Sequence, residues 1–233
     1  MARMTSLRPS TDPSAQRDVR AELLHAAVGL LDDHGPDALQ TRKVAGAAGT
    51  STMAVYTHFG GMRALIAAVA DEGLRQFDAA LTVPLTEDPV ADLLRCGAAY
   101  RRFAIGRPHL YRLMFGSTSA HGIHAPAHNV LTLRVAEITA HHPSLAHVVR
   151  HVHRAMVAGR ISAGSPDDDA SVLTIAAQFW TMMHGFVMLE LAGYYGEVAF
   201  GPVLGALAGN TLLSLGDTAE ALAASQTAAT QDL

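Results

Sequence analysis

Cysteine, aromatic rings and lysine are scarce in this chain. Cys96 is the sole cysteine, so an internal disulfide is excluded, and its place in an apolar stretch between Leu94 and Tyr100 reads as a buried thiol in a reducing compartment. Aromatic residues make up 6% and alternating β-branched runs are nearly absent, which argues against sandwiches and barrels. The opening stretch, "MARMTSLRPSTDPSAQRDVR", lacks an apolar core of signal-peptide length and reads as a mobile arm over 1–16 of a cytoplasmic protein. Also missing are a phosphate-binding glycine loop, a His-Glu-x-x-His metalloprotease motif and a Gly-x-Ser-x-Gly elbow. The chain therefore does not read as an enzyme, and neither a cofactor nor a metal is expected.

What is present is aliphatic and alanine-rich. With 49% hydrophobic residues in a chain of 233, a substantial core is within reach, and long segments free of proline make the fold class all-α. Net charge is −4, yet residues 1–65 carry seven basic and six acidic groups, leaving the negative excess to the remainder. The N-terminal part is thus the one suited to approach a polyanion.

Apolar spacing predicts a first helix from Arg17 to His34, stopped by Gly35-Pro36. Thr41 reads as the N-cap of a second, short helix that ends at Gly49, and Ser51 or Thr52 as the cap of a third, Met53 to Phe59. A longer helix follows over 62–81, then 88–106, a short one opened by Pro108, a Gly/His/Pro-rich break at 116–126, and helices near 127–141 and 144–162. "GSPDDD" at 164–169 predicts a start with Ser165 as N-cap and three aspartates at the positive end of the dipole of a helix running to Tyr194. A last helix is expected over 198–216, with a fraying tail over 217–233. The apolar stretch 170–192 is nearly long enough to span a bilayer, but Gln178, His184 and Glu190 interrupt it, so burial in protein, against another copy of itself, is the reading.

Two short helices joined by a tight glycine-containing turn make a helix-turn-helix, whose second helix enters the DNA major groove. Val44, Ala48, Val55 and Phe59 then face the core, while Thr52, Met53, Ala54, Thr57 and His58 face outward and Tyr56 and Thr41 are placed for phosphates. The stretch "LLHAAVGLLDDHGPDALQTRKVAGAAGTSTMAVYTHFGGMRALIAAV" resembles the DNA-binding domain of the tetracycline-repressor (TetR) family. The resemblance rests on His34-Gly35, Thr41-Arg42-Lys43-Val44-Ala45, Ala48-Gly49 with Ser51, Val55-Tyr56, Phe59, and Ala64-Leu65. It implies that Tyr56 grips a phosphate, that Thr41 and Arg42 contact backbone or base, and that Thr52, Met53, Thr57 and His58 read bases. Lys43, Ser51 and Arg63 complete the implied DNA face. Where the family usually carries a lysine three residues after the phenylalanine, this chain has Met62, with Arg63 beside it as substitute.

In the C-terminal half, "FWTMMHGFVMLEL" at 179–191 and "RPHLYRLMFG" at 107–116 resemble the subfamily whose last domain carries a Trp followed by His-Gly. Tyr100, Phe103, Tyr111, Met114, Phe115, Trp180, Met183 and His184 are candidate linings of an apolar ligand cavity, with core or dimer interface as the plainer reading. His147 and His151 are one helical turn apart, but neither cysteine nor carboxylate stands beside them at ligand spacing, so they read with His141, His142 and His153 as a solvated helix face.

The expectation is an arm over 1–16, a helix-turn-helix DNA-binding domain over 17–63, a helical ligand-binding and dimerisation domain over 64–216, and a tail. Such a chain regulates transcription: it binds a palindromic double-stranded DNA operator as a homodimer through its last two helices, and an apolar small molecule releases it. The alternative is a helical small-molecule or metal-binding protein whose helix-turn-helix does not serve DNA.

Overall fold

The computed structural model describes residues 18–115, 129–195 and 199–231. The expected arm over 1–16, the whole 116–126 break, and His121, His124 and His128 lie outside the described residues. Among those described, every regular element is helical. They are α1 (Val19–His34), α2 (Thr41–Ala47), α3 (Thr52–Phe59), α4 (Met62–Ala80), α5 (Pro89–Gly106), α6 (Pro108–Phe115), α7 (Val135–His141), α8 (Pro143–Val157), α9 (Asp169–Leu191), α10 (Ala206–Ser214) and α11 (Ala219–Thr230). Two compact units divide between Val69 and Ala70, inside α4.

In the first unit, Asp18 caps α1 by accepting a hydrogen bond from the Ala21 amide. Leu23, Ala27, Val28 and Leu31 line the buried face of α1, which packs on α2 and α3. Val44, Ala45 and Ala48 of the second helix and Val55 of the third close that core. Between them Gly49 takes φ 62°, a left-handed turn that a side chain would resist. Phe59 is half-buried under the guanidinium of Arg20, 4.9 Å from the ring centroid.

The second unit is built around α5, which packs on α6, α8, α9 and α11. Asp92, fully buried on α5, accepts hydrogen bonds from the Thr86 amide, the Thr86 hydroxyl and the guanidinium groups of Arg95 and Arg154. Four acceptor contacts explain how a carboxylate stays charged there.

Several boundaries differ from the sequence expectation. Gln40 is the cap residue of α2 and Thr41 its first helical residue. At α9 the cap is Asp168, not Ser165, because its carboxylate accepts from the amides of both Ala170 and Ser171, whereas the Ser165 hydroxyl oxygen accepts from the Asp167 amide within the preceding turn. The helix expected over 198–216 opens instead with a wider π-helical turn, Phe200–Gly205, at a sequence where Pro202 has no amide hydrogen to donate. The expected fraying tail contains α11. Its Leu222, Ser225 and Ala229 are buried, and Arg160 bridges to Asp217 (2.6 and 2.8 Å) and to Ser225 (3.0 Å).

Candidate functional site

The first candidate surface is the outward side of the helix-turn-helix. Arg42 and Lys43 on α2, Ser51 ahead of α3, Thr52, Met53, Tyr56, Thr57 and His58 on α3, and Arg63 in the first turn of α4 are all exposed, and Thr41 is half-buried. Their positions follow from the period: 52, 53, 56 and 57 share one face of α3, and 55 and 59 point the other way. Met53 is 67% and Tyr56 56% exposed, although both are large side chains with apolar bodies. The Thr57 hydroxyl is turned back to the Met53 carbonyl at 3.1 Å. Gly60, in the left-handed conformation, ends α3 with its amide on the Tyr56 carbonyl.

The second candidate lies within the larger unit and is organised by Phe77 of α4, which is fully buried. Its ring meets Tyr100 (4.8 Å between centroids), Phe103 (5.1 Å), Phe115 (5.6 Å), Trp180 (6.2 Å) and Tyr111 (6.4 Å). Most of these pairs are edge-to-face, the arrangement that ring quadrupoles favour. Met114 is buried beside Gly73, where an added Cβ would lie 2.8 Å from its sulfur. The hydroxyls of Tyr100 and Tyr111 are 2.8 Å apart, and each reaches Nδ1 of His184, at 3.0 and 2.9 Å. Burial raises both phenol pKa values well above the ordinary tyrosine range and lowers that of His184, so all three groups are neutral at neutral pH.

Beside this cluster is an apolar cavity of about 80 Å³, bounded by Tyr100, Trp180 and Met183 on one side and by Cys96, Phe179 and Leu204 on others. Burial pushes the Cys96 thiol up to about 12, so it is a protonated, unreactive wall. Of the eight sequence candidates, Tyr100, Trp180 and Met183 line the cavity, while Phe103, Tyr111, Met114, Phe115 and His184 are outside its lining.

The histidines of α8 correct the expectation of a solvated face: His147 and His151 are buried. His147 bonds through Nε2 to Asp78 (2.8 Å) and through Nδ1 to Arg150 (2.9 Å). His151 has no hydrogen-bonding partner for either ring nitrogen among the described residues. Among the described residues, no three His, Cys, Asp or Glu side chains are grouped to hold a metal ion. Among the described residues one helix, α9, is long and apolar enough to cross a membrane, and Val172, Leu173, Ile175, Ala176, Phe179, Phe186 and Val187 on it are buried within the unit.

Comparison with known proteins accounts for both halves. Residues 23–69 match the family model of bacterial regulatory proteins of the tetR family, and residues 93–206 match that of the tetracyclin repressor-like C-terminal domain. The chain belongs to the tetracycline-repressor family. It is 32% identical over 109 residues to the tetracycline repressor protein class A from transposon 1721 of Escherichia coli, a match covering 47% of this chain and 40% of that repressor. Among solved structures, it is similar to a protein of unknown function from Rhodococcus sp. RHA1 (TM-score 0.68, 27% identity, 88% of this chain and 99% of that one). It shares its fold with RolR, solved in complex with resorcinol (TM-score 0.58, 13% identity, 94% and 97% covered).

For a tetracycline-repressor-family chain, three residues of the larger unit were not evident as site residues from sequence. Phe77 is legible only as one member of the apolar stripe of α4, and its role as hub comes from the packing of α4, α5, α6 and α9. Gly97 faces Met183, whose terminal methyl would lie 2.9 Å from an added Cβ, so the missing side chain leaves room at the cavity. Phe200 also lines the cavity, with the guanidinium of Arg101 4.9 Å from its ring centroid.

Proposed function

We propose that this chain is a ligand-responsive transcription regulator of the cytoplasm, a repressor that holds a palindromic DNA operator as a homodimer and lets go when an apolar small molecule enters the larger unit. The observation that carries the reading is the exposed face of α3. Met53 and Tyr56 stand out from it beside Thr52, Thr57 and His58, and Arg42, Lys43 and Arg63 flank it. Apolar contact and hydrogen bonding at base edges, with cations for phosphates, are what a recognition helix needs.

A two-fold dimer supplies the second reading head. Leu189 of α9 and Leu207 of α10 are large apolar side chains that the protomer leaves exposed, which supports an interface on these two helices. Coupling between ligand and DNA runs through α4, which carries Leu65 and Val69 of the core of the first unit and Phe77 of the aromatic cluster of the second. A ligand that shifts the cluster moves α4 and changes the separation of the two heads, and fixed half-site spacing turns that into lost affinity. Such couplings are usually about 1–3 kcal/mol.

The test is a gel-shift on the DNA flanking the chain's own coding sequence, combined with mass-spectrometric identification of any co-purified small molecule. A retarded band that the identified molecule abolishes is expected. A protein that binds small molecules yet never retards this DNA at low salt is the alternative, a helical binding protein in which the helix-turn-helix does not serve DNA.

A further inference from the structure

The cavity beside Trp180 is too small for its assigned task as it stands. An apolar cavity that accepts benzene measures about 150 Å³, and ligand pockets run to roughly 300–1,000 Å³, against about 80 Å³ here. On the far side of one wall, however, is an open groove of about 510 Å³ between α5, α10 and α11. Leu94, Ala98, Phe200 and Gly205 line both spaces, so they form the partition between them. Two of the four are alanine or glycine, and Phe200 supplies the only ring.

We propose that cavity and groove are two compartments of one ligand site divided by the Phe200 ring, and that the site takes an elongated, uncharged, apolar molecule. This rests on the reading of the larger unit as the effector-binding part. Phe200 opens the π-helical turn Phe200–Gly205, and such turns recur at functional sites because their wider hydrogen-bond pattern rearranges locally. The ring is held in place from outside the partition. Arg101 sits 4.9 Å from its centroid, and Glu190 clamps Arg101 through its Nε at 2.9 and 3.2 Å and through Nη2. Neither Arg101 nor Glu190 lines either compartment, so both act as positioning residues.

Ligand class follows from the walls. Among the described residues no side chain lining the cavity is charged: Cys96 holds its proton, and the Tyr100 hydroxyl is engaged by Tyr111 and His184. An ionised group would be buried there without a counter-charge. Among the described residues the groove adds only Asn210, Gln226 and Thr230 as polar side chains, which suit a neutral hydroxyl or amide at the far end of the ligand. Its occupant is the tail of that molecule, because the groove and the cavity share the wall of Leu94, Ala98, Phe200 and Gly205.

Straight-chain alcohols from butanol to dodecanol test this, read through the fluorescence of Trp180, the sole tryptophan, which itself lines the cavity. Affinity is expected to rise about fourfold per added methylene as apolar burial continues, without levelling off at the length that fills the cavity. Phe200→Ala and Phe200→Leu should speed association and dissociation while keeping that rise. Glu190→Gln should speed association as well, by freeing Arg101. Gln226→Phe, which fills the groove without adding a second tryptophan, should leave butanol unaffected and stop the rise for longer chains. Affinities that level off at hexanol in both the wild type and Phe200→Ala would overturn the two-compartment site while leaving the effector cavity standing. If no alcohol changes Trp180 emission in either protein, the effector reading itself fails. A Gln226→Phe protein whose dimer dissociates in sedimentation would make the groove a contact between copies and overturn the proposal.

Discussion

Tyr100 and Tyr111, on consecutive helices, place their hydroxyls 2.8 Å apart and share Nδ1 of His184. Three neutral groups saturate one another in a place where water has no access to the hydroxyl of the fully buried Tyr111. Tyr111→Phe leaves its partners short of one hydrogen bond and should destabilise the protein by about 1–3 kcal/mol. Removing both hydroxyls should cost less than the sum of the single variants, because the interaction lost is one and the same. Chemical denaturation of the two single variants and the double variant measures it, and strict additivity would refute the shared network.

Gly97 leaves the space in which the Met183 methyl lies. Gly97→Ala should push that flexible end into the cavity, so affinity for an apolar ligand falls. Stability should hold or improve, since alanine exceeds glycine in helix propensity by about 1 kcal/mol. A calorimetric titration paired with a melting curve separates the two effects. A variant that binds ligand as the wild type does would show that the cavity is not the binding place.

His151 makes stability sensitive to mild acid. Burial, aided by the nearby charge of Arg150, lowers its pKa to about 4 from an ordinary 6.5, while Asp92 acts in the opposite sense and Arg154 and His147 add to the lowering. The folded protein therefore binds fewer protons than the unfolded one between these values, and stability falls as pH drops from 6.5 to 4, by roughly 3 kcal/mol for this group. Asp88 and Asp92, held below the usual carboxylate range by hydrogen bonds and the arginines Arg160 and Arg154 against the penalty of burial, extend the loss to lower pH. His151→Leu should flatten the profile between 6.5 and 4 and raise stability at neutral pH, as a buried imidazole without hydrogen-bonding partners among the described residues is removed. Denaturation midpoints across that range in wild type and variant are the check; parallel profiles would exclude His151 as the source.

Helix α11 is fastened by charge as well as by packing. Arg160 holds the buried Asp217 with two short bonds, Ser225 donates to Asp88 at 2.6 Å, and Arg95 donates to the Ala228 carbonyl at 2.8 Å. Arg160→Ala strands Asp217 and should cost roughly 3 kcal/mol. Protease digestion should then release the C-terminal segment before the rest of the unit unfolds. Cleavage no faster than in the wild type would mean that α11 is secured by Leu222 and Ala229 alone.

These cases mark what local sequence reveals. The apolar stripe of α1, the Gly49 turn and the outward set on α3 were legible because they follow from helical period and from one backbone conformation. Cap positions shifted where neighbours compete, as Asp168 does with Ser165. The helix over Ala219–Thr230 is not legible in the sequence because its Ala/Thr/Gln composition has little amphipathic stripe, and its anchors, Arg160, Asp88 and Arg95, lie far away in the chain. The cavity was half legible: Tyr100, Trp180 and Met183 advertise themselves as large apolar or amphipathic side chains, but Gly97 and Gly205 shape the space by what they lack, and Phe200 gains its place from a π-helical turn that periodicity does not foresee.

The DNA face is tested most directly by titrating the wild type, Tyr56→Phe and Arg42→Ala against the DNA flanking the coding sequence and a scrambled duplex, over a range of salt. Wild-type protein should prefer the flanking DNA, with affinity falling steeply as salt rises. Tyr56→Phe should weaken binding to both duplexes alike, through a lost phosphate contact. Arg42→Ala should also narrow the gap between them and reduce the salt slope by about one. Binding curves for both variants that coincide with those of the wild type on both duplexes would contradict the assignment of this surface to DNA.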